Sequence, residues 1–491
     1  MGTALSDTAT TTATEAAAPD HSARNRLVIT LLLISTFVVF LNETIMGNAL
    51  PALMEDLKIT ADAAQWLTTA FMLTMAVVIP ITGFLLQRLN TRTVFITAMT
   101  LFSIGTLVAA ISPTFGILVF ARVVQATGTA IMMPLLFTTV LTLVPAQSRG
   151  RVMGNISIVI SVAPALGPMI SGLILGAFSW HFLFLLVLPI AIGALIVGGL
   201  KVPNVTEPTT SSIDVFSVIL SAFGFGGLVF GLSNIGVAGI AAMQSWLPLT
   251  VGLAGVVTFI LRQLVLQRTD SALLDLRTFT VRTFSFAVAM LTISMIALFG
   301  TVTLLPLYTQ NVLGLDALST GLMLLPGGLI MGLLGPVVGR LYDRIGPRPL
   351  VITGSIIVST VLWGMTLLTA TTPSWWVIVA HVTLSIGLAL MFTPLFTAGL
   401  GDIPPKLYSH GSAVVGTIQQ LAGAAGVALF ITVMTSIALA QEDRGVAEIA
   451  ATAAGIHTAF IYGAVISLIA IPLAFFIRKP AAPSGEWSGG H

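Results

Sequence analysis

Two ionisable side chains stand inside long apolar runs, where a charge is costly. Glu43 lies within the first run, in the segment 38–46, and Arg122 lies within the fourth. Glu43 is the one acidic residue well inside any predicted span. An ionisable group in a bilayer core is by default a functional candidate. The simplest chemistry for such a carboxyl is to bind and release a proton in a membrane transporter, with Arg122 coupled to it.

Each charge also has a structural interpretation. Glu43 could be a satisfied buried acid that fixes one helix to another, and Arg122 could be a cation paired with backbone carbonyls at the end of a cavity. His381, at the start of the twelfth predicted span or within it, is a further candidate for proton coupling because imidazole titrates near neutral pH. An interfacial polar group is the alternative for His381.

The composition requires a membrane. The chain has 491 residues, 56% of them hydrophobic and 8% charged, whereas an average soluble domain carries about 25% charged residues. A net charge of +2 gives no reason to expect nucleic acid as a partner, and the absence of cysteine excludes disulfides, thiolate metal sites and cysteine nucleophiles. Neither a phosphate-binding loop nor a His-Glu-x-x-His zinc motif occurs. No enzyme activity, catalytic residue, cofactor or metal is therefore predicted.

Fourteen apolar runs are long enough to cross a bilayer, which takes about 20 residues per helix. They lie near 27–50, 64–86, 93–112, 115–144, 152–177, 181–200, 214–235, 244–266, 283–308, 318–340, 349–370, 374–399, 412–440 and 454–477. An all-α polytopic protein is predicted, because lipid offers backbone groups no partners. Nearly all basic residues fall in the loops on one side, and only Lys58 and Arg444 fall on the other. Both termini are therefore predicted to be cytoplasmic.

Two basic turns share the pattern Gly-x-Leu-x-x-Arg-x-x-x-Arg. They follow the second and the tenth predicted spans, and their defining residues are Gly83, Gln87, Arg88 and Arg92 in the first and Gly339, Asp343, Arg344 and Arg348 in the second. The repeat predicts two six-helix halves, 27–200 and 283–478, separated by a segment 201–282 with two inserted helices. Residues 1–26 and 479–491 are predicted to be disordered cytoplasmic tails. Repeated halves around a midplane site are typical of secondary transporters.

These turns resemble the signature loop of the major facilitator superfamily, and the resemblance extends over about 27–477. Within this superfamily, the chain resembles the fourteen-span drug:proton antiporters. In the first turn, Gln87 stands where relatives have an Asp that helps to lock the inner gate. The segment 41–51 resembles the family's first-helix motif, with Asn42 where many members have Asp, so that the acid at Glu43 is about 100° further around the helix. The Asn-Glu form resembles a subgroup that includes lincomycin-type multidrug resistance proteins.

Two further motifs carry the resemblance. The segment that starts at Arg122 is similar to the Arg-x-x-Gln-Gly motif, whose Arg is tied to proton transfer in relatives. The segment 163–172 is similar to the antiporter motif, which is associated with export, and contains Pro164, Gly167, Pro168 and Gly172. Together these motifs imply a major facilitator fold.

The function that the resemblance implies is export of amphiphilic drugs or antibiotics in exchange for protons, by alternating access at the bacterial cytoplasmic membrane. A proton-coupled exporter of a metabolite such as an amino acid, siderophore or lipid is the alternative. A helix-bundle enzyme or receptor is disfavoured by the repeat. The expected partners are a small amphiphile, protons and the lipid bilayer, and a monomer is expected.

Side chains that could line a substrate cavity come from several predicted spans. They are Asn42, Met46, Asn48, Gln125, Met133, Phe137, Gln310 and Gln419. Methionine and aromatic walls would suit varied amphiphiles, because methionine repacks easily. Taken singly, each of these residues is better explained by packing or by a lipid-facing position, which is the alternative to a cavity.

Overall fold

The computed structural model describes residues 22–205, 213–235, 242–369 and 371–480, and within these ranges every regular element is helical. The α-helices are α1 (Ser22–Ile45), α2 (Leu50–Leu57), α3 (Ala61–Arg88), α4 (Thr91–Ala110), α5 (Phe115–Leu143), α6 (Arg149–Leu175), α7 (His181–Lys201), α8 (Val215–Asn234), α9 (Ala242–Leu266), α10 (Arg282–Leu307), α11 (Ala317–Ile345), α12 (Pro347–Met365), α13 (Ser374–Asp402), α14 (Tyr408–Glu442) and α15 (Glu448–Ala474). All but the short α2 are long and apolar enough to cross a membrane. The prediction of fourteen spans is thereby confirmed.

The first span ends earlier than the sequence predicted. α1 stops at Ile45, and a single 3-10 turn over Gly47–Ala49 leads into α2. Pro51 explains the break, because its ring clashes with the carbonyl four residues before it, at Gly47, and it has no N–H for the helix ladder. Met46 and Asn48 therefore lie beyond α1.

The predicted tails overlap the described residues at their inner edges. α1 already begins at Ser22, so residues 22–26 are helical, and exposed Arg24 and Arg26 lie on its first turns. At the other end, Lys479 is held in place, since its Nζ donates to the Asp343 carbonyl at 2.9 Å. The remaining tail residues, 1–21 and 481–491, lie outside the described residues.

The two six-helix halves repeat one packing scheme. In the first half, α1 packs on α6, α3 on α5, and α4 on both α5 and α7. In the second half, α10 packs on α14, α11 on α13, and α12 on both α13 and α15. Each contact in one half thus has its counterpart in the other. This is the repeated architecture that the two basic turns predicted.

The halves meet along α6 and α11 through a row of small residues. Gly154 packs directly on the backbone of Gly335, and further along the same faces Gly328 packs on Ala165. About two turns further from this contact, seven residues later on α6 and seven residues earlier on α11, a Cβ at Gly172 or at Gly321 would have no neighbour within 4 Å. We call the end that carries the basic turns 83–92 and 339–348 the basic end. α6 and α11 are therefore in contact from the basic end to the middle and diverge beyond it.

The second contact between the halves joins α3 and α14. A Cβ at Gly83 would lie 3.0 Å from the His410 imidazole, and one at Gly416 would lie 3.0 Å from Ile79. Nearer the middle of the span, the Gln420 side chain donates to the Met75 sulfur at 3.5 Å. Both contacts between the halves are therefore close at the basic end.

The inserted helices α8 and α9 cover one side of the junction. They pack tightly on each other, and α8 also packs on α3 of the first half and on α14 of the second. Near the opposite end from the basic turns, the rings of Trp66 and Phe230 lie 5.7 Å apart. At the start of α8, Asp214 accepts from the Arg262 Nε at 2.6 Å and the Arg262 Nη2 at 2.8 Å. These bonds lower the pKa of Asp214 to about 2.

The close packing of small residues between α6 and α11 predicts that a larger side chain at Gly154 will open the basic end. A valine there must push against the Gly335 backbone, and overpacking of this kind costs about 1–3 kcal/mol. Because the natural chain has no cysteine, a cysteine placed at buried Ala413 is a clean reporter of opening. We expect Gly154→Val to raise its labelling rate by a water-soluble maleimide about tenfold, since about 1.4 kcal/mol is tenfold in an equilibrium.

The matched control is Gly172→Val, because Gly172 lies on the same face of α6 and has open space around it. Its labelling rate should equal that of the unsubstituted background. Equal labelling rates for the two valine variants would show that the small residues between α6 and α11 do not determine how tightly the basic end is closed.

Candidate functional site

Arg122 is buried on α5 without a carboxylate against it. Its side chain is 1% exposed, and its Nη1 donates to the Gln125 side-chain oxygen at 3.0 Å. A longer bond of 3.5 Å runs from its Nε to the Leu67 carbonyl. Its guanidinium carbon lies 4.1 Å from the centre of the Phe71 ring, a cation–π distance. Neutral groups of α3 and α5 therefore stabilise the positive charge of Arg122.

Gln125 extends the hydrogen-bond network of Arg122 to α4. Its side-chain nitrogen donates to the Thr106 hydroxyl at 2.9 Å, and Thr106 in turn donates to the Phe102 carbonyl at 2.7 Å. Gly105 makes the approach possible, since a Cβ there would lie 2.6 Å from the Gln125 backbone nitrogen. The structure thus places Gln125, a predicted cavity contact, in a fully bonded interior position. Its part in substrate binding stays a prediction.

Glu43 lies half-buried on α1 and interacts electrostatically with Arg122. The two side chains do not form an ion pair, because over the described ranges no Arg122 nitrogen lies within 4.0 Å of a carboxylate oxygen. The structure therefore brings the two predicted proton-coupling residues into one region of the first half and leaves them unpaired.

The neighbours of Glu43 on α1 face the protein interior. Asn42 is 0% exposed, and neither polar atom of its amide has a hydrogen-bond partner among the described residues. Thr44 donates to the Ala163 carbonyl of α6 at 3.3 Å and packs against Gly167. This part of α1 is thus fixed against the helix that carries the predicted antiporter motif.

The predicted antiporter motif lies in the middle of α6. Pro164 and Pro168 both fall within the continuous helix. Gly167 provides the close contact with α1, whereas Gly172 lies where α6 no longer contacts α11. In the second half, Gly426 of α14 packs on the Ile296 backbone of α10, with a Cβ position 2.8 Å away. The α1–α6 approach therefore has its counterpart in the α10–α14 approach.

His381 holds the position in the second half that Arg122 holds in the first. Each is the eighth residue of its helix. The imidazole is 6% exposed and packs against Gly327 of α11, with its Nε2 2.6 Å from where a Cβ would lie. Its Nδ1 has no hydrogen-bond partner in the part of the chain that the structure describes. Proton coupling by His381 stays a prediction.

The remaining predicted cavity residues differ in exposure, and their part in a substrate cavity stays a prediction. Met46 and Met133 are buried, Gln419 is half-buried, and Gln310 is exposed on the π turn that follows α10. Phe137 stacks across the junction on Phe396 of α13, with ring centres 5.2 Å apart. The Asn48 side chain lies outside the described residues.

Both basic turns reach across the junction. The Gln87 side chain donates to the Lys406 carbonyl at 2.8 Å. The Asp343 carboxylate accepts from the Gly150 and Arg151 amides, both at 2.9 Å, at the N-terminus of α6. An acid is stabilising there because it meets unpaired N–H groups and the positive end of the helix dipole. Gln87 thus makes a neutral contact between the halves, and Asp343 makes a charged one.

The other residues of the basic turns have contacts within their own half and across the junction. Arg88 lies 6.0 Å from the Phe84 ring centre, and the Arg92 amide donates to Asn204 at 3.3 Å. Gly339 packs on the Gly150 backbone across the junction. The Arg348 guanidinium lies 5.7 Å from the centre of the Phe475 ring, and Arg344 lies on the surface beside it.

Sequence reasoning missed Arg149 and two hydroxyl pairs at the junction. Arg149 donates to the Leu141 carbonyl at 2.8 Å and to the Tyr408 hydroxyl of the second half at 3.2 Å. The pairs are Ser157 with Thr393 at 2.6 Å and Thr138 with Ser412 at 2.8 Å. The sequence did contain a signal for the hydroxyl pairs, because a hydroxyl inside a membrane span is stabilised by a hydrogen-bond partner on a neighbouring helix.

The comparisons with known proteins decide the family. The family model of the Major Facilitator Superfamily matches residues 32–427. The chain belongs to this superfamily. It is a multi-pass membrane transporter, and the predicted fold and family are confirmed.

Curated relatives match almost end to end. The chain is 42% identical over 463 residues to the uncharacterized MFS-type transporter YcnB of Bacillus subtilis, covering 94% of this chain and 97% of that one. It is 41% identical over 457 residues to the lincomycin resistance protein LmrB of Listeria monocytogenes, covering 92% and 96%. The predicted resemblance to the lincomycin-resistance subgroup is thus confirmed.

Among solved structures, the human organic anion transporter MFSD10 has a TM-score of 0.67 at 15% identity, and the match covers 92% of this chain and 99% of that one. At this identity the likeness shows the fold alone.

The geometry of the second basic turn predicts that Asp343→Asn will weaken the closed basic end of this transporter. The amide keeps one acceptor oxygen but loses the charge and one of the two bonds to α6, and a hydrogen bond to a charged group contributes about 1.5–3 kcal/mol. Labelling of a cysteine at Ala413 should therefore become faster than in the Asp343 background.

The control for this variant is Gln87→Ala, which removes a neutral bond worth about 1 kcal/mol and should give a smaller increase. An Asp343→Asn labelling rate at or below that of Gln87→Ala would contradict the ranking of the two contacts.

Proposed function

We propose that this transporter exports amphiphilic drugs or antibiotics across the bacterial cytoplasmic membrane in exchange for protons. The observation that carries the proposal is the half-buried Glu43, within electrostatic range of Arg122 but not paired with it. The lincomycin resistance protein LmrB matches nearly the whole chain, and its name supports a drug as the substrate of this transporter.

The chemistry follows from how the two charges are held. Arg122 draws its stabilisation from Gln125, Leu67 and Phe71, so it does not depend on Glu43 for a partner. Glu43 is consequently available to another neutralising group. A proton on the carboxyl or a cationic group of the substrate would each serve, and the two exclude each other at one carboxylate. Mutually exclusive binding is what exchange requires.

Alternating access assigns a direction to this exchange. The basic loops indicate that the basic end faces the cytoplasm, so a closed basic end corresponds to an outward-facing state. There, a proton taken up by Glu43 would displace the substrate to the outside. After the halves rock to the inward-facing state, release of the proton to the cytoplasm would make Glu43 available to the next substrate molecule.

The decisive variant is Glu43→Gln, which keeps the shape of the side chain and cannot ionise. We expect lincomycin transport driven by an imposed pH gradient to fall by about 100-fold or more in inverted membrane vesicles, in line with the effect of removing a proton-transfer group. The amount of protein in the membrane should not change.

Glu55→Gln is the control for Glu43→Gln, because Glu55 is an exposed acid on α2. It should transport normally. Wild-type proton coupling in the Glu43→Gln vesicles would overturn the proposal. Lincomycin transport that persists in wild-type vesicles treated with a protonophore would do the same.

Arg122→Lys tests whether the geometry of the guanidinium matters beyond its charge. Lysine cannot reproduce the planar fork that reaches Gln125 and Leu67 while lying over Phe71. We expect transport to fall about tenfold, because two hydrogen bonds to a charged group are lost or distorted and even one such loss of about 1.4 kcal/mol is tenfold. The control is Arg26→Lys at an exposed site on α1. Full activity of Arg122→Lys would show that charge alone suffices.

A further inference from the structure

A groove at the basic end lies apart from the Glu43–Arg122 region and is lined largely by cations. Its volume is about 410 Å³, and its walls include Arg344, Arg348, Arg478 and Lys479 together with the backbone at Gly346 and Pro347. The turn between α11 and α12 forms one wall, and the segment that follows α15 forms the other. No acidic side chain contributes to the lining.

The four cations have no carboxylate partner within the described ranges. Asp343 is close in sequence, but its carboxylate accepts from the Gly150 and Arg151 amides. Only its backbone carbonyl meets a groove residue, at 2.9 Å from the Lys479 Nζ. One carboxylate, that of Asp343, interacts electrostatically with Lys479, so the four cations keep an excess of positive charge that gives the groove a positive potential. The groove therefore suits an anion.

The turn itself adds to this potential. Gly346 adopts a φ of +81°, a conformation that favours glycine, and the chain then enters α12 directly at Pro347. Pro347 and Pro349 in the first turn of α12 carry no N–H, so this helix end contributes chiefly the positive end of its dipole, which favours phosphate. The side chains and the backbone of this turn thus select the same kind of ligand.

We propose that the groove binds the phosphate group of an anionic phospholipid. The surroundings favour a lipid over free phosphate, because large apolar side chains flank the cations at the ends of two spans. Ile345 is 51% exposed at the end of α11, and Phe475 and Phe476, just after α15, are 47% and 54% exposed. A lipid with its phosphate in the groove covers these side chains with its acyl chains, and inorganic phosphate does not. Basic pockets between spans on the cytoplasmic side bind anionic headgroups in this way.

The site has a mechanical consequence for the junction between the halves. Arg344 and Arg348 belong to the same turn as Asp343, which caps α6 of the other half. A phosphate held by both arginines restrains this turn and so stabilises the closed basic end. The lipid composition of the inner leaflet would then bias the conformational equilibrium of the transporter.

Native mass spectrometry of the purified full chain tests the site, with phosphatidylglycerol, phosphatidylcholine and inorganic phosphate as separate probes. We expect the chain to retain phosphatidylglycerol over phosphatidylcholine. The double variant Arg348→Gln, Arg478→Gln should weaken phosphatidylglycerol binding roughly 25-fold, about fivefold for each cation near an anionic surface. Restoring charge with lysine at both positions should recover most of the binding.

The matched control is Arg24→Gln, Arg26→Gln, which removes two exposed cations from the first turns of α1. It should bind phosphatidylglycerol as well as the natural chain does. Equal loss in both double variants would show that general surface charge attracts the lipid and would overturn the site. Inorganic phosphate that binds with the same sensitivity to the groove variant, without preference for the lipid, would overturn the assignment of the anion to a phospholipid.

Discussion

Burial of the Arg122 guanidinium is the constraint around which the first half is built. A charge in a medium of low polarity must be compensated by partners with good geometry, or it destabilises the fold by several kcal/mol. The compensation comes from three helices: α3 supplies the Leu67 carbonyl and the Phe71 ring, α5 supplies Gln125, and α4 anchors Gln125 through Thr106. These three helices are thereby held together. α1, which carries Glu43, contributes no hydrogen bond to Arg122 among the described residues and is instead held against α6 by Thr44.

Contacts between the halves are concentrated where they can be broken together. The polar contacts made by Gln87, Asp343 and Arg149 lie at the basic end, where Gly154 and Gly335 let α6 and α11 approach closely. Beyond the middle of the spans these two helices part. A junction that is tight at one end and open at the other suits the rocking of rigid halves about a midplane site. The inserted helix α8 spans α3 and α14 and leaves the α6–α11 side uncovered by inserted helices within the described ranges.

Much of this architecture could be predicted from the sequence, because apolar length and basic turns are local signals. The bond between Arg122 and Gln125 was also within reach, since residues three apart share a helix face. The end of α1 at Ile45 was missed because the apolar pattern continues toward Pro51, whose effect acts backwards along the chain. The partner of Gln87 could not be predicted, because the Lys406 carbonyl is 319 residues away and comes close only through the packing of α3 on α14.

Asn42 and Glu43 together explain why the shift of the acid by one residue matters. Adjacent side chains on a helix point about 100° apart, and here Asn42 is sealed in the interior while Glu43 is half-buried. An acid at position 42 would have to ionise in a sealed environment, at a large cost unless a cation lay against it. The neutral amide at 42 avoids this cost, although its unpaired atoms still carry a penalty of about 1–3 kcal/mol. The acid at 43 is less enclosed than Asn42, so ionisation costs less there than it would at position 42.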